Sequence, residues 1–132
     1  MSALWPVQKA VYETLNAALS VGVYSLGNVP EGLDATYTVV GESTAEADDT
    51  DDRLGFSVVT TVHTWDTDDN SRGFNNVKPL MGEIYTALHR VNLSVSGYTV
   101  TDCFFEFEQV NIDADGLTAH GAQRVRVLLT TN

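Results

Sequence analysis

The stretch of sequence that decides the fold is Leu54–Trp65, LGFSVVTTVHTW, in which β-branched and aromatic residues predominate. Its apolar side chains alternate, so that Val58 and Val62 lie on one face and Val59 and Trp65 on the other. This period of two predicts a β-strand. Because both faces carry apolar groups, we expect the strand at the centre of a sheet or at an interface.

Three other stretches also predict strands. Ala35–Gly41 (ATYTVVG) and Ala122–Thr131 (AQRVRVLLTT) are rich in β-branched residues. Tyr98–Ile112 alternates with period two, and the turn at Asp113–Gly116 that follows it predicts a hairpin with the last strand. The glycines and proline within Gly22–Asp34 predict loop and turn there.

The hairpin is expected to sort its side chains by face. The alternation predicts that Phe105 and Phe107 share one face. On the other face we expect pairing of glutamates with arginines across the two strands: Glu106 and Glu108 with Arg124 and Arg126.

Two stretches have apolar residues at helical spacing. The first is Trp5–Leu19, where Pro6 suits the first turn because its missing N–H has no helical partner there. The second begins at Asn75 or Asn76 and runs to about residue 90, with Pro79 in its first turn. The order of elements predicts one α+β domain over residues 1–132, a mainly antiparallel β-sheet with two α-helices packed on one face.

Acidic residues are concentrated in a small part of the chain. The protein has 132 residues with 18 Asp plus Glu and 7 Lys plus Arg, a formal net charge of −11. This charge argues against proteins that grip nucleic acid and against docking on anionic membranes. Nine of the acids lie between residues 42 and 69, opposed only by Arg53. We expect residues 42–53 to form a long, mobile acidic loop between the first two predicted strands, and residues 66–73 to form a second loop.

The sequence has no pattern of catalytic residues. His63, His89 and His120 are far apart and have no metal-ligand spacing, and the lone Cys103 is expected to be a buried, inert thiol. Nucleotide-binding and nucleophile motifs are absent from the sequence. We therefore expect no enzyme activity, no catalytic or cofactor-binding residue, no metal site and no cofactor. No apolar run is long enough to span a membrane, and no secretion signal is visible.

Several short motifs occur in the order found in one protein family. The N-terminal segment Ser2–Tyr12 (SALWPVQKAVY), the strand Thr36–Glu42 (TYTVVGE) and the strand end Thr61–Trp65 (TVHTW) are followed by Ala87–His89 (ALH). A "D.DG..H" turn, formed by Asp113, Asp115, Gly116 and His120, then precedes the last strand. Together these motifs resemble the tail terminator, or tail completion, proteins of long-tailed bacteriophages and related gene transfer agents. Thr36 and Pro79 depart from the family pattern.

The resemblance implies a structural role. Family members are small α+β subunits that form a hexameric ring at the head-proximal end of the tail tube. The implied protein is a virion component, assembled in the bacterial cytoplasm, that stops tube polymerisation. Its implied partners are further copies of itself, the tail tube protein and the head–tail connector protein, while DNA passes through the ring without specific binding.

Two sets of residues follow as candidates for this role. Acids expected to line a channel or face a partner are Glu46, Asp48, Asp49, Asp51, Asp52, Asp66, Asp68 and Asp69. Candidates for the subunit interface are His63, Trp65, Arg72 and Phe74. The alternative function is that of a monomeric acidic binding module, such as a DNA mimic that acts as a decoy for DNA-binding proteins.

Overall fold

The computed structural model of the protein describes residues 2–68 and 74–132. In chain order these residues form α1 (Leu4–Ala18), β1 (Gly22–Ser25), β2 (Thr36–Ala47), β3 (Gly55–Asp66), α2 (Val77–Leu88), β4 (Tyr98–Ile112) and β5 (Ala119–Thr131). The strands make one sheet in the order β1-β2-β3-β5-β4, and every neighbouring pair is antiparallel except β1 and β2. The predicted α+β fold with a mainly antiparallel sheet is confirmed.

The central position predicted for the stretch around Val58 is confirmed, because β3 pairs with β2 on one side and β5 on the other. From Val58 onward its even-numbered residues are buried on the face that packs against the helices, where Val58 and Val62 are fully inaccessible. They join Leu15 of α1 and Ile84 of α2 in the main core. The odd-numbered side chains lie on the opposite face, which we call the open sheet face.

Each helix begins at a residue that places its proline in the first turn. Pro6 lies in the first turn of α1 and Pro79 in the first turn of α2, where a missing N–H breaks no helical hydrogen bond. Asn76 takes the N-cap position of α2, but its side chain donates to Asp66 Oδ2 at 3.2 Å instead of capping the helix. In the part of the chain that the structure describes, no helix is long and apolar enough to cross a lipid bilayer.

The segment predicted to be loop after α1 contains a short strand. β1 pairs in parallel with β2, with Val23 opposite Thr38. Val23 is 5% exposed and belongs to the main core. Four residues are too short for a clear alternation in sequence, so this pairing comes from tertiary contact rather than local pattern.

The acidic loop is shorter than the sequence predicted. Residues 42–47, placed in the loop by their composition, continue β2 and pair with β3 as far as Ala47 opposite Phe56. A bulge between Val40 and Ser43 shifts the register, and the hydrogen bonds of the ladder outweigh the low strand propensity of Glu and Ala. The connection is thus residues 48–54, and we call it the acidic turn. Its mobility stays a prediction.

The predicted β4–β5 hairpin is confirmed, but the sorting of its side chains is only partly right. A register shift between Phe105 and Phe107 puts Phe105 opposite Val125, on the helix face, and Phe107 opposite Arg124, on the open sheet face. The two phenylalanines therefore do not share a face. A bulge accounts for this because it inserts one residue, Glu106, into the alternation.

Candidate functional site

A line of four polar side chains crosses the open sheet face. Glu42 Oε1 lies 2.6 Å from His63 Nε2, and His63 Nδ1 lies 2.8 Å from His120 Nε2. His120 Nδ1 then lies 3.9 Å from Asp113 Oδ1. The imidazole centroids are 5.1 Å apart and their planes differ by 19°, so the two rings lie end to end with the facing nitrogens between them. We call these four residues the histidine line.

The hydrogen bonds fix which nitrogens carry protons. The Glu42 carboxylate can only accept, so His63 Nε2 donates and, in the neutral ring, His63 Nδ1 is left to accept. His120 Nε2 must then donate across the 2.8 Å contact. One further proton fits on His120 Nδ1, towards Asp113, whereas a second would place two N–H groups face to face. The histidine line therefore accommodates one added proton and not two.

The surroundings lower the pKa values of two members of the histidine line, His120 and Glu42. Burial, followed by the charge of His63, lowers the pKa of His120, although Asp113 and Glu42 act in the opposite direction. Burial by itself raises the pKa of Glu42. The hydrogen bond with His63, a backbone hydrogen bond and the two imidazoles outweigh burial, so the pKa of Glu42 lies below its ordinary value. These shifts favour an ionised Glu42 carboxylate and a neutral His120 imidazole.

Trp65, a candidate interface residue, covers the histidine line. Its ring stacks on His120 at a centroid distance of 3.8 Å with planes 5° apart. The β3–β5 register puts Trp65 directly opposite His120. Because one face of the indole is occupied within the subunit and the side chain is half-buried, Trp65 has an intramolecular role in addition to any contact with a partner.

Two arginines of β5 stand further along the open sheet face. Arg126 pairs with Glu106, as the sequence predicted, and also donates to the hydroxyl of Ser57. Arg124 lies over the ring of Phe107 at 5.1 Å and does not meet Glu108. The carboxylate of Glu108 instead accepts from Gln123 on the helix face, because the bulge turns Glu106 and Glu108 to opposite faces.

The acidic turn is exposed along its whole length, and so is Glu46 just before it. Two of its acids have local structural roles. Asp49 Oδ1 accepts from the Gly55 N–H at 2.9 Å, and Asp52 Oδ1 accepts from the Thr50 hydroxyl at 3.1 Å. The carboxylates of Asp48 and Asp51 are exposed and take no part in the described side-chain hydrogen bonds of this turn, so they contribute charge, while the backbone N–H of Asp48 donates to the Gly55 carbonyl.

The other candidate acids are placed differently. Asp66 is 3% exposed and accepts from the Asp68 N–H and from Asn76, so it connects the end of β3 to the start of α2. A buried position of this kind does not face a solvent-filled channel. Asp68 is half-buried at the end of the same connection. Asp69 lies outside the described residues.

The remaining interface candidates are separated in the structure. Phe74 packs against Val77, Met81 and Ala119 in a small second core, with Lys78 Nζ 4.9 Å from its ring. Phe74 is half-buried there, and its role at a subunit interface stays a prediction. Arg72 lies outside the described residues. The structure therefore brings His63 and Trp65 together and does not join them to Phe74.

The described part of the chain has neither a metal-binding cluster nor a reactive thiol. Across residues 2–68 and 74–132 no group of three or more His, Cys, Asp or Glu is arranged to hold a metal ion. Burial and then Asp102 raise the pKa of the Cys103 thiol to about 11, and its Sγ donates to the Leu88 carbonyl. A thiol with such a pKa is a poor nucleophile at neutral pH.

Sequence reasoning missed the histidine line, because its members are distant in the chain. His63 and His120 are separated by 57 positions, and only the β3–β5 register brings them together. The acidic composition that begins at Glu42 predicts a loop there instead of a strand. The sequence signal was the presence of both the "TVHTW" motif and the "D.DG..H" motif, each of which contains one of the two histidines. Neither motif alone predicts a contact between His63 and His120.

Comparison with known proteins identifies the family to which the chain belongs. The chain matches the family model of the tail completion protein gp17 over residues 8–130. It is also similar to a chain from the virion of a native gene transfer agent particle, with a TM-score of 0.85 and 17% sequence identity over 98% of both chains, which shows a shared fold. No curated protein matches the chain by sequence. Because the family model spans nearly the whole chain, the protein belongs to the tail completion protein gp17 family and is a structural protein of the virion tail.

Proposed function

We propose that six copies of this chain form a ring at the head-proximal end of the tail tube. The ring ends tube polymerisation, joins the tail to the head connector and lets DNA pass through its channel. The observation that carries the proposal is the family match over residues 8–130. The fold shared with a chain of a gene transfer agent virion supports it.

The acidic turn has a role in this proposal. Six chains with a formal charge of −11 each gather −66 around one axis, and part of that charge lies on the exposed residues 46–52. A negative rim repels DNA phosphates and prevents the passing DNA from adhering, whereas lysines and arginines would release counterions and bind it. The second possible role is contact with a basic surface of a neighbouring protein, where complementary charge guides association.

Mass in solution tests the ring directly. Native mass spectrometry and electron microscopy of the protein, alone and mixed with tail tube protein, should show rings of about six subunits, free or on tube ends. Tubes polymerised with the protein present should be capped and should stop growing. A protein that stays monomeric in both conditions, and leaves tube growth unchanged, would refute the proposal.

A test of the role of the acidic turn needs variants that remove charge and keep the shape of the turn. Asp48→Asn combined with Asp51→Asn does so, because the side-chain hydrogen bonds of the turn come from other residues and the backbone bond from the Asp48 N–H to the Gly55 carbonyl is kept. A matched control is Glu31→Gln combined with Glu83→Gln, which removes the same charge from exposed sites elsewhere.

The two roles of the turn predict different defects. Slower DNA ejection from particles with normal rings indicates a channel role, and poor ring or tail assembly indicates contact with a neighbour. If the double Asn variant assembles and ejects DNA as well as the control variant does, the acidic turn has neither role.

A further inference from the structure

Three buried polar side chains lie close together on the helix face of the sheet. Thr38, Thr64 and Gln123 are each fully inaccessible to solvent. The strand registers place Thr38 of β2 directly opposite Thr64 of β3, while Gln123 of β5 is opposite Val62, two residues before Thr64. The three side chains therefore stand on three neighbouring strands, and we call them the polar seam.

The first half of α2 covers the polar seam. Met81 packs over Gly121, the residue opposite Thr64, so closely that a Cβ on Gly121 would collide with the Met81 sulfur. Gln123 Nε2 donates to the Met81 carbonyl at 2.9 Å and to Glu108 Oε2 at 3.2 Å. The seam thus lies between α2 and the sheet, away from bulk solvent.

Each member of the polar seam has a polar atom without a protein partner. In the described part of the chain, four buried side-chain atoms make no hydrogen bond, and three of them are Thr38 Oγ1, Thr64 Oγ1 and Gln123 Oε1. The fourth is the hydroxyl of Tyr98, at the distant start of β4. Buried polar groups are nearly always hydrogen-bonded, because an unpaired one costs free energy. Three such atoms on adjacent strands point to a shared partner.

A second buried hydroxyl of β3 shows the contrast. Thr60 is as inaccessible as Thr64, but its hydroxyl lies 3.0 Å from Ser43 Oγ and is therefore paired within the protein. Thr64 has Gly121 opposite it on β5, and a glycine has no side chain to offer. A partner for the Thr64 hydroxyl must come from outside the protein.

The unpaired atoms match the hydrogen-bonding capacity of water. The Gln123 carbonyl oxygen only accepts, whereas each threonine hydroxyl can donate or accept. Opposite Cβ atoms of an antiparallel pair lie about 5 Å apart, and one water bonded at about 2.8 Å to each of two hydroxyls spans such a gap. Buried waters make about three hydrogen bonds on average, which is the number that the seam offers. All three oxygens are uncharged, so they are poorly suited to a divalent cation.

We propose that an ordered internal water is bound in the polar seam, where it bridges Thr64 to Thr38 and Gln123. This water connects β2, β3 and β5 beneath α2 and is a fixed component of the fold. The inference concerns the single subunit and does not depend on the proposed ring.

High-resolution crystallography of the whole protein tests the site directly. We expect a density peak about 2.7–3.2 Å from Thr64 Oγ1 and from at least one other oxygen of the seam. Nuclear Overhauser effects between water and the Thr64 methyl group should show the same bound water in solution. A seam without a peak, in which the two hydroxyls have rotated onto each other or onto backbone carbonyls, overturns the proposal. A peak about 2.3–2.6 Å from the oxygens also overturns it, because those are cation distances.

Thr64→Val tests the energetic role, because valine keeps the shape of threonine and removes the hydroxyl. If the hydroxyl is bonded to water, the melting temperature at fixed protein concentration should fall by about 2–5 °C. Thr60→Val is the reference for a hydroxyl paired within the protein and should show a fall of similar size. Thr64→Ser keeps the hydroxyl and should keep the density peak. A melting temperature of Thr64→Val that is unchanged or higher overturns the proposal, because removing an unpaired hydroxyl from a dry seam costs nothing.

Discussion

Acidification should destabilise this protein through the histidine line, and removal of His120 should abolish that effect. Burial, followed by the charge of His63, disfavours protonation of His120 in the folded protein, where His120 Nε2 lies 2.8 Å from His63 Nδ1. In the unfolded chain His120 takes up a proton near pH 6.5. Just below that pH the unfolded state therefore binds up to one proton more than the folded state.

The sign and size of the effect follow from proton linkage. Burial and His63 lower the pKa of His120 in the folded protein, so its contribution to stability is present above about pH 6.5 and is lost as the pH falls. One missing proton changes the free energy of unfolding by about 1.4 kcal/mol per pH unit. The two side chains are 18% and 21% exposed, and the facing groups are Glu42 and Asp113, which both favour the charged form. We therefore expect a net loss of about 1 kcal/mol between pH 7 and pH 5.5.

Urea unfolding followed by circular dichroism at pH 7.0 and pH 5.5 measures this loss. His120→Asn replaces the titrating imidazole by an amide that carries no proton equilibrium in this range and can still hydrogen-bond to His63. The variant should lose about 1 kcal/mol less than the wild type over this interval. Gln109→Asn, an exposed change in β4 that leaves all three histidines in place, is the control and should behave as the wild type. Equal losses for the wild type and His120→Asn would refute the assignment of the loss to His120.

Other predictions concern packing and reactivity. Gly55→Ala places a Cβ 2.1 Å from the Asp48 carbonyl oxygen, so thermal unfolding should show a loss of about 1–3 kcal/mol. Gly82→Ala, at an exposed helical site with nothing within 4 Å, should gain about 0.5–1 kcal/mol, and a loss there would contradict the open space. Ile84→Ala removes a fully buried side chain and should cost about 2–5 kcal/mol in urea unfolding; a cost below about 1 kcal/mol would mean that the core refills the space. Cys103, with a pKa raised by burial to about 11, should react with iodoacetamide at pH 8 only after unfolding, and rapid labelling of the native protein would contradict its burial.

The sequence was sufficient for elements with a strong period. The alternation in Leu54–Trp65 predicted a central strand, and the helical stripes with early prolines predicted α1 and α2. Burial of a continuous apolar face imposes these patterns, so they can be recognised without knowing the partner element. The short motifs predicted a resemblance to tail completion proteins, and the match to the family model confirmed that resemblance.

Local pattern failed where pairing, rather than composition, determines structure. Residues 42–47 are polar and acidic, yet they extend β2 because β3 offers them a full hydrogen-bonding partner. The bulge at Glu106 reverses the faces of all later residues of β4, and no feature of the local sequence marks it.

The sequence by itself determined the fold class, the family and the total charge of this protein. The tertiary structure alone decided where that charge and the aromatic groups are placed. The register of β3 and β5 places His63 beside His120. The fold also buries Asp66 at the end of β3, and the extension of β2 to Ala47 shortens the acidic loop to a turn. The physical reason is that contacts between distant segments depend on register and bulges, and a shift of one residue moves each side chain to the opposite face of the sheet.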